Sequence, residues 1–414
     1  MRRTLMVFVL VLVGTPVAGY AATWNVPGDA LTVQAGIDSA SAGDTVLVAP
    51  DTYYENLVMK DGVVLTSSGG RDVTTLEPAI IDSPIVDCTS LGAGTVIEGF
   101  TFRNGDSFVG AGVKCIGSEI AILDNRFTLN HASNGAGIAM SDSSDGVIDG
   151  NAFEDNVAGN WGGGIFLEHS SPDIIGNTFG ENGAKYGAAI GIMYSSSPHV
   201  ADNTFIGNSA SRQGGAIHCR YNGFAVIERN WFESNSAGGS AGAIAFHEDA
   251  YPTVRENIFW KNSGGNAAVM GVSFSSDALI ENNTFYANDA FNSTPDSLPA
   301  CIGVYSNSTA GVYNCIFAHG TGGPAIGCFQ GATATVDCND LWSNDSDYLG
   351  CGPGLNDFYL DPLLCDPDNG DFQLDCSSPC ANHPVCGLVG AMDVGCGASR
   401  TETSTWSSIK ARYR

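Results

Sequence analysis

The chain repeats one cycle of apolar and polar positions every 26 or 27 residues. The triplet Asn-x-Phe occurs at Asn125/Phe127, Asn151/Phe153, Asn177/Phe179, Asn203/Phe205, Asn230/Phe232, Asn257/Phe259 and Asn283/Phe285. Phe102 extends the series upstream, and Phe317 and Leu341 extend it downstream past an insertion near Phe291 to Pro299. A second Asn follows each Phe by three, at Asn130, Asn156, Asn182, Asn208, Asn235, Asn262 and Asn288. A stretch of small residues and an apolar pair then complete the unit, most clearly as Gly214-Gly215-Ala216-Ile217. Within a unit the apolar segments are short, as in Ile138-Ala139-Met140, Val147-Ile148-Asp149 and Asn151-Ala152-Phe153. Alternating segments of this length predict strands and exclude helices.

Three strands and three turns per unit make one coil, and stacked coils pair every strand in parallel with its copies about 4.8 Å above and below. The expected fold is all-β: a right-handed parallel β-helix of about 10–12 coils. On this frame each Phe joins a column of stacked rings inside the coil. Each Asn joins a ladder of side-chain amides along the stack, and Gly takes the tight corners. Two inward positions per unit form apolar pairs, Ile138/Met140, Ile190/Ile192, Ile217/Cys219 and Ile244/Phe246. Cys88 and Cys115 fall on the Met140 column one coil apart, within disulfide range and with bonding left open. Cys219 reads as a buried small hydrophobe and a free thiol.

Two resemblances follow from these residues. The Phe-x-x-Asn and Gly-Gly-Ala-Ile pairing resembles the repeat of chlamydial polymorphic outer-membrane proteins, which are β-helical adhesin passengers. Thr32-Val33-Gln34-Ala35-Gly36-Ile37-Asp38, then Gly43-Asp44-Thr45-Val46-Leu47-Val48 and Tyr53-Tyr54-Glu55-Asn56, resemble the opening of pectate-lyase-like and pectinesterase-like proteins. Asp51 stands where that family's motif has Gly. This opening implies an N-terminal helical plug on the first coil. Near the other end, Asp361-Pro362-Leu363 through Ser378-Pro379-Cys380 to Cys386-Gly387-Leu388 resembles the closing module of bacterial secreted β-helix proteins. A Cys-rich C-terminal cap is expected there, because an open β-helix end exposes unpaired strand edges. The organisation reads as 1–21 signal peptide, 22–80 N-terminal cap and first coils, 81–345 repeats, 346–397 cap and 398–414 tail.

The ends and composition set the compartment. Arg2 and Arg3, the apolar run Leu5 to Val13 and the small residues Ala18 to Ala22 form a Sec-type signal peptide. No transmembrane span is expected. Of thirteen Cys, eight lie between Cys328 and Cys396, and export makes disulfides the expectation there, with open connectivity. A net charge of −27 argues against nucleic acid as a partner. Asp366, Asp368 and Asp371 lack the remaining ligands of a calcium loop and read as a turn, with Ca²⁺ kept as a secondary option and no other cofactor indicated.

Gly238-Gly239-Ser240-Ala241-Gly242 matches a hydrolase pattern but falls on the repeat's glycine corner. The paired acids of polygalacturonase-like enzymes are missing. One stripe stands out. Glu168, Met193, His218, Arg220 and His247 alternate with the inward pairs and should face solvent. Turn residues His169, Tyr194, Tyr221, Glu248 and Asp249 should lie beside them. Rings suit pyranose faces, and carboxylates, Arg and His suit hydroxyls or uronates. Arg220, His247, His218 and Glu168 are also the candidates for catalysis, since an Arg beside a His could abstract a proton α to a uronate carboxyl. The leading function is a secreted or cell-surface, non-catalytic module, expected to be monomeric, that presents a rigid face to polysaccharide. The alternatives are a lyase or glycoside hydrolase acting on acidic polysaccharide, and a structural surface component.

Overall fold

The computed structural model describes residues 21–291 and 301–397. Residues 1–20, where the signal peptide is expected, the insertion after Phe291 and the tail from Ala398 lie outside the described residues. The chain winds into an all-β, right-handed parallel solenoid of about 12 turns. Three long parallel sheets run its length, and a fourth, shorter one joins them. One middle coil gives the order: Ile165–Glu168 on what we term the face sheet, Asp173–Ile175 on the long sheet, Thr178–Gly180 on the phenylalanine sheet and Gly183–Tyr186 on the short sheet. These sheets hold 12, 13, 12 and 8 strands respectively.

The fourth strand corrects the expected three-strand coil. It is built from the small-residue stretch after the second Asn, as in Val157–Trp161. Its inward positions are alanines, Ala158, Ala184, Ala210 and Ala237, packed together. Alanine carries no strand propensity, so the segment read as a turn.

The repeated residues form the predicted columns. Phe102, Phe127, Phe153, Phe179, Phe205, Phe232, Phe259, Phe285 and Phe317 stack with ring centroids 4.6–4.9 Å apart. Asn151 donates to Asn177 Oδ1 from its backbone N at 2.9 Å and from Nδ2 at 3.0 Å, and the same two bonds recur along both ladders. At the corner before the face sheet, Gly162 has φ +60, and a Cβ there would meet Ile165 O at 2.0 Å. Only glycine fits that approach.

At the start, Val33–Ser39 is a helix that buries Val33 and Ile37. Glu55 accepts from the backbone N of Val33 and Gln34 at 2.9 and 3.0 Å. Asn56 bonds Ile80 N and Pro84 O. The opening motif is therefore structural in its contacts.

At the other end, Phe358 bridges to Asp340 beyond the last phenylalanine-sheet strand, and Asp357 Oδ1 takes the ladder position for Asn339. Disulfides Cys338–Cys386 and Cys365–Cys396 staple this module. Most of it does more than cover the end. A three-stranded sheet, Leu364–Asp366, Asp371–Asp375 and Val394–Cys396, folds back along the outside of the phenylalanine sheet. Phe372 packs on Trp231 and Trp260, and Leu374 and Val389 pack with Ile316. Trp231, Trp260, Tyr286 and Ile316, outward residues on four consecutive coils, explain why the module lies along the side.

Candidate functional site

The stripe predicted from alternation lies on the outer side of the face sheet. Strand register places Ser141, Glu168, Met193, Arg220, His247 and Ser273 in one outward column. The adjoining outward column is Lys114, Ala139, Phe166, Gly191, His218 and Ala245. His169, Tyr194, Tyr221 and Glu248 follow at the turn. The His169 and Tyr194 rings stack at 5.5 Å, and Tyr194 and Tyr221 at 5.0 Å. Asp249 is exposed at the next position.

Met193 is only 7% exposed, packed with Trp161 and Phe166, and His218 departs furthest from the expected exposure. It points away from the coil interior but is only 1% exposed. The short sheet explains this. Its last residues, Asn134, Trp161, Tyr186 and Gln213, stand in register beside the face sheet and lean over it. Trp161 meets the His218 ring edge-on at 4.8 Å, Tyr186 does so at 5.4 Å, and Gln213 Oε1 lies 3.2 Å from His218 Nε2. Burial first, then the charges of His247 and Arg220, hold the His218 imidazole well below the ordinary histidine range. It is a neutral packing residue and does not reach solvent.

The other candidates are largely engaged with each other. Arg220 donates to Glu248 from Nε at 2.8 Å and from Nη2 at 2.7 Å, a bidentate pair. Its guanidinium also lies 4.5 Å over the Tyr221 ring. The Arg220 hydrogen bonds hold the Glu248 carboxyl below the usual carboxylate range. His247 is 13% exposed, packs 4.3 Å from the Phe274 ring, and is held low by burial and then by Arg220. Its Nδ1 stands 3.6 Å from Glu248 Oε1, beyond hydrogen-bond distance. Glu168 makes no ion pair among the described residues.

The concave part of this face lies beside Glu168, toward the N-terminal coils. A groove of about 450 Å³ is lined by Phe108, Trp161, Phe166, Glu168, Met193 and Tyr194. Ala139 lies under it, and at one end Lys114 reaches Asp87 at 3.4 Å. Gly191 lets the wall stand close, since a Cβ there would come 3.2 Å from Trp161 Cβ. Phe108 is 76% exposed. Sequence reasoning found Glu168, Met193 and Tyr194 but missed Phe108, Trp161 and Phe166. Phe108 and Trp161 belong to the short sheet, whose strands the pattern hid. Phe166 was legible as an outward residue of its strand.

Among the described residues no group of three or more His, Cys, Asp or Glu is arranged to hold a metal. Asp366 accepts from Asn369 Nδ2 with both oxygens at 3.0 Å, closing a local turn. No helix of the described residues is long and apolar enough to cross a membrane.

Among solved structures, the chain is similar to the family 28 exopolygalacturonase of Yersinia enterocolitica, with 12% identity over 83% of this chain and 79% of that one and a TM-score of 0.44. It is also similar to the mannuronan C-5 epimerase A-module of Azotobacter vinelandii, with 14% identity over 79% of this chain and 93% of that one and a TM-score of 0.35. No curated protein matches the chain. The family model described as the right handed beta helix region matches residues 61–241 and 210–341, and the chain belongs to that family.

Proposed function

We infer that the protein is a non-catalytic glycan-binding module whose ligand, a neutral polysaccharide, lies in the groove beside Trp161. The observation that carries this reading is the groove's chemistry: four aromatic side chains and Met193 around a single free carboxylate, Glu168. Apolar rings pack on pyranose C–H faces, and one acceptor orients hydroxyls, as in other concave sites with few polar groups. Charge argues against a polyuronate. The one cation of the groove, Lys114, is spent on Asp87, and the nearby Arg220 is spent on Glu248. A uronate would meet Glu168 and a chain of net charge −27.

The same groups speak against catalysis. Glycoside hydrolysis calls for two carboxylates flanking the bond, and this groove has one. A lyase calls for a base beside charge neutralisation at the uronate, and the Arg220, His247 and His218 set is paired or covered. The two disulfides support an oxidising, extracellular setting, and export by the Sec route with action as a monomer completes the proposal.

The test is retention of the full chain on immobilised neutral and uronic polysaccharides, with assay of new reducing ends and unsaturated uronate in the same samples. Retention on a neutral polymer without turnover is expected. Retention confined to polyuronates, or turnover of any polymer, would overturn the reading.

A further inference from the structure

We propose that Cys88 and Cys115 are a disulfide site, a covalent rung tying the face-sheet strand Val86–Thr89 to its neighbour Val113–Ile116. Backbone register sets Cys115 directly opposite Cys88. Both side chains point inward and are 0 and 1% exposed. Paired strands lie about 4.8 Å apart, inside the roughly 4.4–6.8 Å Cα separation that a disulfide spans. Equivalent register positions also send both Cβ atoms to the same side, as bridging requires.

Two other buried thiols of the solenoid, Cys219 and Cys315, have no cysteine opposite them. Cys219 sits in the same inward column between Ile192 and Phe246. Cys315 takes an asparagine's place in the ladder, where its Sγ lies 3.5 Å from Asn283 N.

The position gives the rung a purpose. The asparagine ladders start at Asn125 and Asn130, the phenylalanine column at Phe102, and the short sheet at Asp106–Val109. The strand of Cys88 precedes all three. Its junction to the next coil relies on the strand pairing itself, on Ser118 Oγ donating to Cys88 O at 2.8 Å, and on the Lys114–Asp87 pair outside. A disulfide would lock this junction where the repeated ladders give out. It would also fix the strand that carries Lys114 at the end of the groove.

Bond formation removes two protons and two electrons from the two thiols and joins their sulfurs. The electrons reduce a disulfide oxidant, such as glutathione disulfide, to two thiols. Exchange needs a thiolate, and burial pushes the Cys88 thiol well up, so the step belongs to folding, before the coil closes.

The experiment is to refold the reduced full chain in a glutathione and glutathione disulfide buffer, alkylate free thiols in denaturant, digest without reduction and map the peptides by mass spectrometry. The readout is taken in chains that carry the Cys338–Cys386 and Cys365–Cys396 links. A linked Cys88–Cys115 peptide is expected there. Full alkylation of both Cys88 and Cys115 in those chains would overturn the proposal.

Discussion

Asn177 shows what a repeated residue does in this protein. Its Nδ2 donates to Ile148 O, Ile175 O and Asn203 Oδ1, and its Oδ1 accepts from Asn151. It is 1% exposed, so nothing else can satisfy these groups. Asn177→Ala strands buried partners at about 1–3 kcal/mol each. A drop of a few kcal/mol in the urea unfolding free energy is expected, and a change below about 0.5 kcal/mol would contradict the ladder's role. Phe179→Ala should cost about 3–5 kcal/mol in the same assay, because its stacked neighbours cannot collapse into the cavity. Both columns were legible because one residue type recurs at one spacing. His218 was misread for a reason at this same scale. Alternation along a strand says which side of the coil a residue faces, and it says nothing of what lies over that side. Trp161 and Tyr186 cover His218 from a different element.

At the scale of elements, the three long sheets could be read from apolar alternation, and the short sheet could not. Its inward alanines carry no pattern that separates strand from turn, yet it raises the Phe108 and Trp161 wall. The C-terminal module was legible as a Cys-rich cap, while its course along the phenylalanine sheet depends on outward Trp231, Trp260 and Ile316, which no periodicity ties to Phe372 and Leu374. The docking of this module carries a pH dependence. Asp340 is buried beneath it, accepting from Cys380 Sγ at 3.1 Å and from Leu360 N at 3.1 Å. Burial raises its carboxyl from 3.8 to about 7, against those two hydrogen bonds. The folded state thus holds a proton that the unfolded chain loses above about 3.8, and the stability it confers is fully present below that pH and lost as pH rises to about 7. Glu228 acts in the opposite sense. Burial raises it, but Arg229, Arg255 and His199 outweigh burial and hold it at about 2. Its contribution is lost only as pH falls below about 4.5. Between these limits unfolding midpoints should fall as pH rises from 4.5 to 7. Asp340→Asn should flatten that slope, and an unchanged slope in the variant would contradict the assignment.

For the whole molecule, the solenoid fixes a long rigid face and the net charge of −27 sets what can approach it. Fold and stripe were both readable from the repeat, but the groove was not. It arises where the short sheet's rim meets the face sheet, a relation between strands that do not pair with each other. On the proposed reading, a groove of aromatic rings without a free cation would hold its ligand by contact and not by ion pairing. Affinity for a neutral glycan should therefore change less than twofold between about 0.01 and 1 M salt, across which the screening length falls from about 30 to 3 Å. A steep loss with salt would point to charge recognition.

The most direct measurement is affinity electrophoresis through gels containing the retained neutral polysaccharide. It would compare the wild-type chain, Trp161→Ala and Tyr251→Ala, the last of which alters a second, shallow hollow on the long sheet. Circular dichroism would check that each variant is folded. Trp161→Ala should lose retardation by at least about tenfold in apparent affinity, equivalent to about 1.4 kcal/mol, while Tyr251→Ala migrates as the wild type. Undiminished retardation of a folded Trp161→Ala chain would contradict the groove as the binding site.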